Sequence, residues 1–277
     1  MYILTFTLIL LAGAYLAGLV GSLTGLGGGV VIIPLLTLAF HIDMRYAIGA
    51  ALVSSIATSS GSASAYVREG ITNIRVGMFL EIATTIGAVT GALIAVYTPV
   101  NLVAILFGAT LIFSAAMTLR KKHEDAESNG SPWAEKLKLN GSYPTKDGVV
   151  HYKLRNVGGG FSIMTLAGVL SGLLGIGSGA LKVLAMDTAM RIPFRVSTTT
   201  SNFMVGVTAA ASAVVYLQRG YIDPALAMPV IIGVLAGAFT GTKLLMRINP
   251  KKLRLIFSIA ITLVALQMIY NGLQQKF

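Results

Sequence analysis

The sequence predicts an all-α polytopic membrane protein: two inverted-topology repeats of about five helical segments each, with broken half-helices meeting near the membrane midplane. Three observations predict it: composition, an internal repeat and the placement of basic residues. Of 277 residues, 55% are hydrophobic and 11% charged, with mean hydropathy +0.79. A soluble domain carries about 25% charged residues, so this chain lacks the polar surface to stay in water. The net charge of +11 then reads as basic cytoplasmic loops rather than a nucleic-acid surface. With no Cys and three scattered His, the sequence offers no disulfide framework, thiol nucleophile or metal-ligand spacing. No cofactor is expected.

A helical span needs about 20 apolar residues. Stretches of that size run from Tyr2 to Val20, Tyr46 to Val67, Val76 to Tyr97 and Val100 to Leu119, then from Gly158 to Leu174, Val196 to Leu217, Pro224 to Met246 and Leu255 to Gly272. The first has no basic residue before it and no clear small-x-small cleavage site after it, so it reads as a transmembrane helix rather than a removed signal. Two shorter apolar pieces, Val30 to Phe40 and Ala180 to Met190, each follow a glycine-rich turn.

Those turns reveal the repeat. Sliding the chain by 150 residues superposes Gly18, Gly25, Gly27 and Gly29 on Gly168, Gly175, Gly177 and Gly179. Arg45 falls on Arg195, Thr58 on Thr208, Tyr66 on Tyr216, and Gly87-Ala88 on Gly237-Ala238. From Gly18 to Ala95 there are 19 identities in 78 positions, where apolar composition alone gives roughly one in ten. The expected organisation is a membrane repeat over residues 1–119, a cytoplasmic linker with a small hairpin over 120–157, and a second membrane repeat over 158–277.

Basic residues orient the copies, because Lys and Arg stay on the cytoplasmic side. If each short piece and the helix before it form a full in-and-out pair, 17 basic residues fall inside and only Arg45, Arg219 and Lys276 outside. If the short pieces return to their starting side, the count falls to 12 against 8. The first arrangement wins and makes the repeats inverted. The segment from Arg120 to Asn156 is soluble in character, with Trp133 and an Asp147-Gly148 turn before Val149-Val-His-Tyr152. It reads as a connector, with a regulatory domain as the less economical alternative.

An eleven-residue helix is about 16 Å long, half of a 30 Å hydrocarbon core. Both short helices should therefore begin near the midplane, from opposite sides. Helix N-termini expose N–H groups and partial positive charge, and glycine lets a ligand approach the backbone. Broken helices at a repeat interface point to a transporter's binding site. The expected small-anion site comprises Thr24, Gly25, Gly27, Gly28 and Gly29 from one turn, and Gly175, Gly177, Ser178 and Gly179 from the other. Tight helix packing is the competing explanation of such glycines, and it is preferred for Gly87 to Gly91 and Gly237 to Gly241.

Lys182 lies about 13 Å from the cytoplasmic face, too deep to snorkel, so it meets an anion, a carboxylate or trapped water. Glu81 and Asp187 are candidates for pairing with it or carrying protons, against interfacial snorkelling. Ser54, Ser55, Thr58, Ser59 and Ser60 open one third helix, and Ser197 to Asn202 the other. They line a hydrated path or bond back to their own helices; Asn202 is the better candidate for the path.

These features together resemble a known family. The paired glycine turns, Tyr66-Val-Arg-Glu-Gly70, Arg75-Val-Gly-Met-Phe-Leu-Glu81 and Thr200-Ser-Asn-Phe-Met-Val-Gly-Val-Thr208 are similar to the TauE/SafE family of sulfite and organosulfur anion exporters, the DUF81-like membrane permeases. The resemblance implies a carrier of sulfite, thiosulfate, sulfonates or related anions across the cell membrane. The second turn reads Gly-Ser-Gly where the family often has Gly-Gly-Gly, so Ser178 would add a hydroxyl donor. The expected partners are the lipid bilayer and a small anionic substrate, a sulfur oxyanion or sulfonate; a homo-oligomer is left open and nucleic acid is not expected.

Two other functional classes compete with this reading. An intramembrane serine hydrolase built on Gly177-Ser-Gly179 needs a later histidine base, and no His follows His151. Neither turn continues as a phosphate-binding loop. A scaffold subunit without transport has only Lys182 and the broken helices against it. With the inside negative, moving a monovalent anion outward gains about 2.3 kcal/mol per 100 mV, so export needs no coupling ion.

Overall fold

The structure, a computed structural model, describes residues 3–24, 27–119, 130–145, 148–245 and 250–276. Gly25 and Leu26 of the first glycine turn, the basic run from Arg120 to Asn129, Lys146, Asp147 and Arg247 lie outside the described residues. The chain folds as α1 (Ile3–Thr24), α2 (Gly29–Pro34), α3 (Met44–Arg68), α4 (Ile74–Tyr97) and α5 (Val100–Leu119). A short α6 (Pro132–Lys136) and a hairpin of β1 (Gly141–Thr145) and β2 (Gly148–Tyr152) follow. The second series is α7 (Val157–Leu174), α8 (Gly179–Leu184), α9 (Phe194–Gln218), α10 (Pro224–Leu245) and α11 (Pro250–Leu273). Both short helices continue as a wide π-helical turn, Leu35–Ala39 after α2 and Ala185–Ala189 after α8. Pro34 does not cause the turn, since it recurs where Leu184 stands in the equivalent place.

Five described helices are long and apolar enough to cross a bilayer: Leu4–Ser22, Ile74–Tyr97, Val157–Leu174, Phe194–Gln218 and Pro224–Thr242. The 25-residue α3 falls outside that set because serine and threonine dilute its hydropathy. Burying those hydroxyls is tolerable because most bond a carbonyl one turn back, as Thr58 does to Ser54 (2.8 Å) and Ser62 to Thr58 (2.8 Å). Chain ends of the helices are set locally. Asn73 Oδ1 accepts from the Val76 N–H and caps α4, Asn156 does the same for α7, and Gly175 closes α7 at φ +69°.

Helix directions follow from which residues meet. Arg45 at the start of α3 reaches Tyr221, just past α9, while Ser59 further along α3 donates to the Asn202 carbonyl near the start of α9. These two helices, equivalent in the 150-residue repeat, run antiparallel. So do α5 and α11: Gly108 lies against Ala265 and Ile269, and Gly272 against Asn101 and Ile105. By contrast α1 runs parallel to α10, with Gly233, Gly237 and Gly241 against Leu11, Tyr15 and Leu19 in turn. The pairing of α4 with α7 is parallel too, Gly168 meeting Thr84 and Gly172 meeting Ala88.

These parallel contacts are backbone to backbone. A Cβ added at Gly172 would strike the Ala88 carbonyl and lie 2.7 Å from the Ala92 nitrogen. Gly91 and Gly237 face Val169 and Tyr15 carbonyls in the same way, so these glycines serve close helix approach. Gly172→Ala is expected to force α4 and α7 apart at a cost of about 1–3 kcal/mol or more. A lowered melting midpoint and aggregation on gel filtration of detergent-solubilised protein would register it.

The segment between the two series is not a loose tether. Ala134, Leu139, Tyr152 and Leu154 are buried and share a core with Val76, Leu80, Met186, Met190 and Met204 of the helices. Asn73 Nδ2 donates to the Leu139 carbonyl (3.0 Å) and the Tyr152 hydroxyl (2.8 Å), and the Arg155 N–H donates to the Met190 carbonyl (3.0 Å). Burial pushes the Tyr152 phenol up to about 12, against the Asn73 hydrogen bond, which lowers it. It therefore stays neutral throughout the physiological range. Thus α6 and the hairpin bridge the α3–α4 loop to the end of the wide turn after α8.

Candidate anion site and its buried charge pair

The two glycine turns come together. Gly27 (φ +79°) and Gly177 (φ +66°) both adopt the left-handed backbone that favours glycine. Both press on one side chain: a Cβ at Gly27 would sit 3.2 Å from Val205 Cγ1, and one at Gly177 2.7 Å from the same atom. A Cβ at Gly29 would sit 2.8 Å from the Gly175 carbonyl oxygen and 3.1 Å from Ser55 Oγ. Gly27, Gly28, Gly29, Gly175, Gly177, Ser178 and Gly179 are all buried. Thr24 ends α1, one residue before the undescribed Gly25 and Leu26.

Hydroxyls of α3 face the first turn. Ser54 Oγ lies against Gly28, and Ser55 Oγ against Gly27 and Gly29. Both serines are fully buried, yet neither hydroxyl has a hydrogen-bond partner within the protein. Buried polar groups are normally paired, so two such donors beside a helix N-terminus suit an anionic acceptor. Asn202 is also buried with Nδ2 unpaired, and Ser59 Oγ donates to its backbone carbonyl at 2.5 Å.

Two expected site residues behave differently. Ser178, with φ +42°, spends its hydroxyl proton on the Ala167 carbonyl (2.6 Å), so it is no free donor in this conformation. Its side chain bridges the turn back to α7. Several hydroxyls at the start of α9 are engaged, Ser201 donating to the Gly179 carbonyl (3.1 Å), Ser197 to the Ile192 carbonyl and Thr200 accepting from the Asn73 N–H, whereas the buried Thr198 Oγ1 has no partner.

Lys182 is fully buried, and its ammonium donates to Thr208 Oγ1. The Thr208 hydroxyl lies 2.5 Å from Glu81 Oε1, with Thr85 Oγ1 at 3.3 Å from the same oxygen. Glu81 is buried and its Oε2 has no partner. Lysine, threonine and carboxylate thus form one polarised chain from α8 through α9 to α4. Two buried charges cancel, which is the arrangement in which a low-dielectric interior tolerates them. Asp187 is placed elsewhere, partly exposed in the wide turn after α8.

The sequence marks Glu81 as a candidate partner for Lys182 but not the Thr208 hydroxyl that stands between them. Thr208 was visible as the repeat partner of Thr58, and that identity was the available signal. Val205, which stands between the two turns, gave none, because an apolar residue in an apolar helix carries no mark.

A many-helix apolar bundle with glycine-broken helices and buried opposite charges is the build of a membrane transporter, and the relatives of this chain carry that name. The chain belongs to the TauE/SafE family: the profile described as "Sulfite exporter TauE/SafE" matches residues 10–268. The chain is 27% identical to "Probable membrane transporter protein YunE" of Bacillus subtilis (strain 168), over 98% of this chain and 99% of that protein. It is 26% identical to YdhB of the same strain, over 83% and 86% of the two chains. "Probable membrane transporter protein MJ0441" of Methanocaldococcus jannaschii is 24% identical over 97% of each chain. No solved structure matches significantly.

Proposed function

We propose that the protein is a secondary transporter that exports a small sulfur-containing anion across the cell membrane by alternating access. The observation that carries this reading is the meeting of the two glycine turns beside the unpartnered hydroxyls of Ser54 and Ser55. The site comprises Gly27, Gly28, Gly29, Gly175, Gly177 and Gly179 as the backbone cradle, Ser54, Ser55 and Asn202 as donors, and Lys182 as the nearby cation. Ser178 braces the second turn.

The two copies are inverted about an axis in the membrane plane. Antiparallel packing of equivalent helices, α3 on α9 and α5 on α11, supports this, as does the excess of basic residues on one side. The segment 120–157 then lies in the cytoplasm. The substrate class, sulfite, thiosulfate or a sulfonate, rests on the family description and on the donor set, which suits an oxyanion.

Purified protein should show a raised melting midpoint with at least one of sulfite, thiosulfate, sulfate, taurine and sulfoacetate, since a ligand held only by the native state stabilises it. The shift should shrink in Ser55→Ala. A blank panel would favour a scaffold subunit over a carrier.

A further inference from the structure

We propose that Glu81 is a proton site linked to anion binding, so that the carrier moves its anion together with one proton. This rests on the transport reading above and adds its ion coupling.

The Lys182–Thr208–Glu81 chain is neutral as it stands, one cation against one carboxylate. The elements around Glu81 supply no other compensating charge among the described residues. Helix α7 carries no titratable residue at all; α9 carries Arg195 near its start and the phenol of Tyr216 near its end, with Arg219 just beyond it. On α4 the neighbours of Glu81 are the neutral Thr84 and Thr85, while Arg75 is exposed in the first turn of the helix, more than one turn away, and donates to the Lys138 carbonyl. Asp187 lies more than a turn beyond Lys182 and bears the wrong sign.

An anion drawn to Lys182 must compete with Glu81 for that cation. Bound beside an ionised Glu81, it leaves one uncompensated negative charge in a water-poor interior, which is strongly unfavourable. A proton on Glu81 removes that charge. It also converts Oε1 or the unpartnered Oε2 into a donor, and releases the Lys182 ammonium for the anion. Anion binding and proton binding therefore favour each other, and by linkage the effect is reciprocal. The proton comes from water at the open mouth and returns to water at the other side; no covalent bond to the anion forms. For a monovalent anion the loaded step is electroneutral, so membrane potential does not drive it; the anion gradient and the pH difference together do.

The test uses the full chain in proteoliposomes with a trapped pH dye, loaded with methanesulfonate or thiosulfate. Both are anions of strong acids and bring no proton themselves. The expected result is alkalinisation of the lumen in step with anion loss, one proton per anion, and methanesulfonate efflux that is the same at 0 and about −100 mV clamped with valinomycin. In Glu81→Gln the protons moved per anion should fall from one to zero and efflux should become voltage-dependent. Anion efflux from wild-type vesicles without a pH change would overturn the proton coupling while leaving transport standing. Efflux of neither probe above protein-free liposomes would overturn the transport reading and this inference with it. If Glu81→Gln fails to fold, the wild-type proton-to-anion ratio decides alone.

Discussion

Lys182→Met is expected to bring anion efflux in proteoliposomes down to that of empty vesicles. It should also destabilise the protein, for a separate reason. Removing the ammonium leaves Glu81 buried without its cation, and breaking a buried pair by deleting one partner costs about 3–5 kcal/mol. The two effects can be told apart in the double variant Lys182→Met/Glu81→Gln. With both charges gone, Thr208 still has a neutral amide to bond, so the melting midpoint should recover towards wild type. Efflux should not recover, because the cation is missing. Comparing melting midpoint and efflux across the four proteins separates charge burial from anion contact. Undiminished efflux in the double variant would remove Lys182 from the mechanism.

The second large effect is at the junction of the turns. Gly177→Ala puts a methyl group 2.7 Å from Val205 Cγ1 on a backbone with φ +66°. Left-handed backbone costs a non-glycine residue roughly 1–2 kcal/mol, and the clash adds to it. Because the same Val205 methyl also abuts Gly27, displacing it disturbs both turns. Efflux in Gly177→Ala is expected to fall by at least about tenfold, equivalent to 1.4 kcal/mol. Val205→Ala removes the clashing atom, so Gly177→Ala/Val205→Ala should regain part of the efflux and only the backbone strain should persist. Equal loss in the single and double variants would mean that Val205 does not transmit the defect.

Much of this architecture is legible in the sequence because membrane helices are specified by long apolar runs. The stretch Val100 to Leu119 and the short piece Ala180 to Met190 both emerge as helices close to the expected bounds. The repeat is legible for a related reason, since glycine at a turn or helix contact tolerates few substitutes. The wide turns after α2 and α8 are not, because Leu35–Ala39 and Ala185–Ala189 share only their final alanine and a π-helical turn has no composition of its own. The docking of the hairpin is hidden too. Asn73 reads as an ordinary cap, and its second role, holding Leu139 and Tyr152, depends on chain brought back from more than sixty residues away.

Within the site, chemistry with charge was legible and chemistry with hydroxyls was not. Lys182 stands out because a lone cation in an apolar run has few explanations. Serines and threonines do not, because bonding to their own helix is the commonest fate of each. Only the packing separates Ser55, which has no partner, from Thr58, which bonds Ser54.

The most direct measurement is efflux of radiolabelled sulfite, thiosulfate and taurine from proteoliposomes containing wild-type protein or Lys182→Met/Glu81→Gln. Saturable wild-type efflux of at least one of these, reduced to the level of protein-free liposomes in the folded double variant, is the predicted result. Wild-type efflux no faster than protein-free liposomes for all three, or efflux unchanged in the double variant, would contradict it.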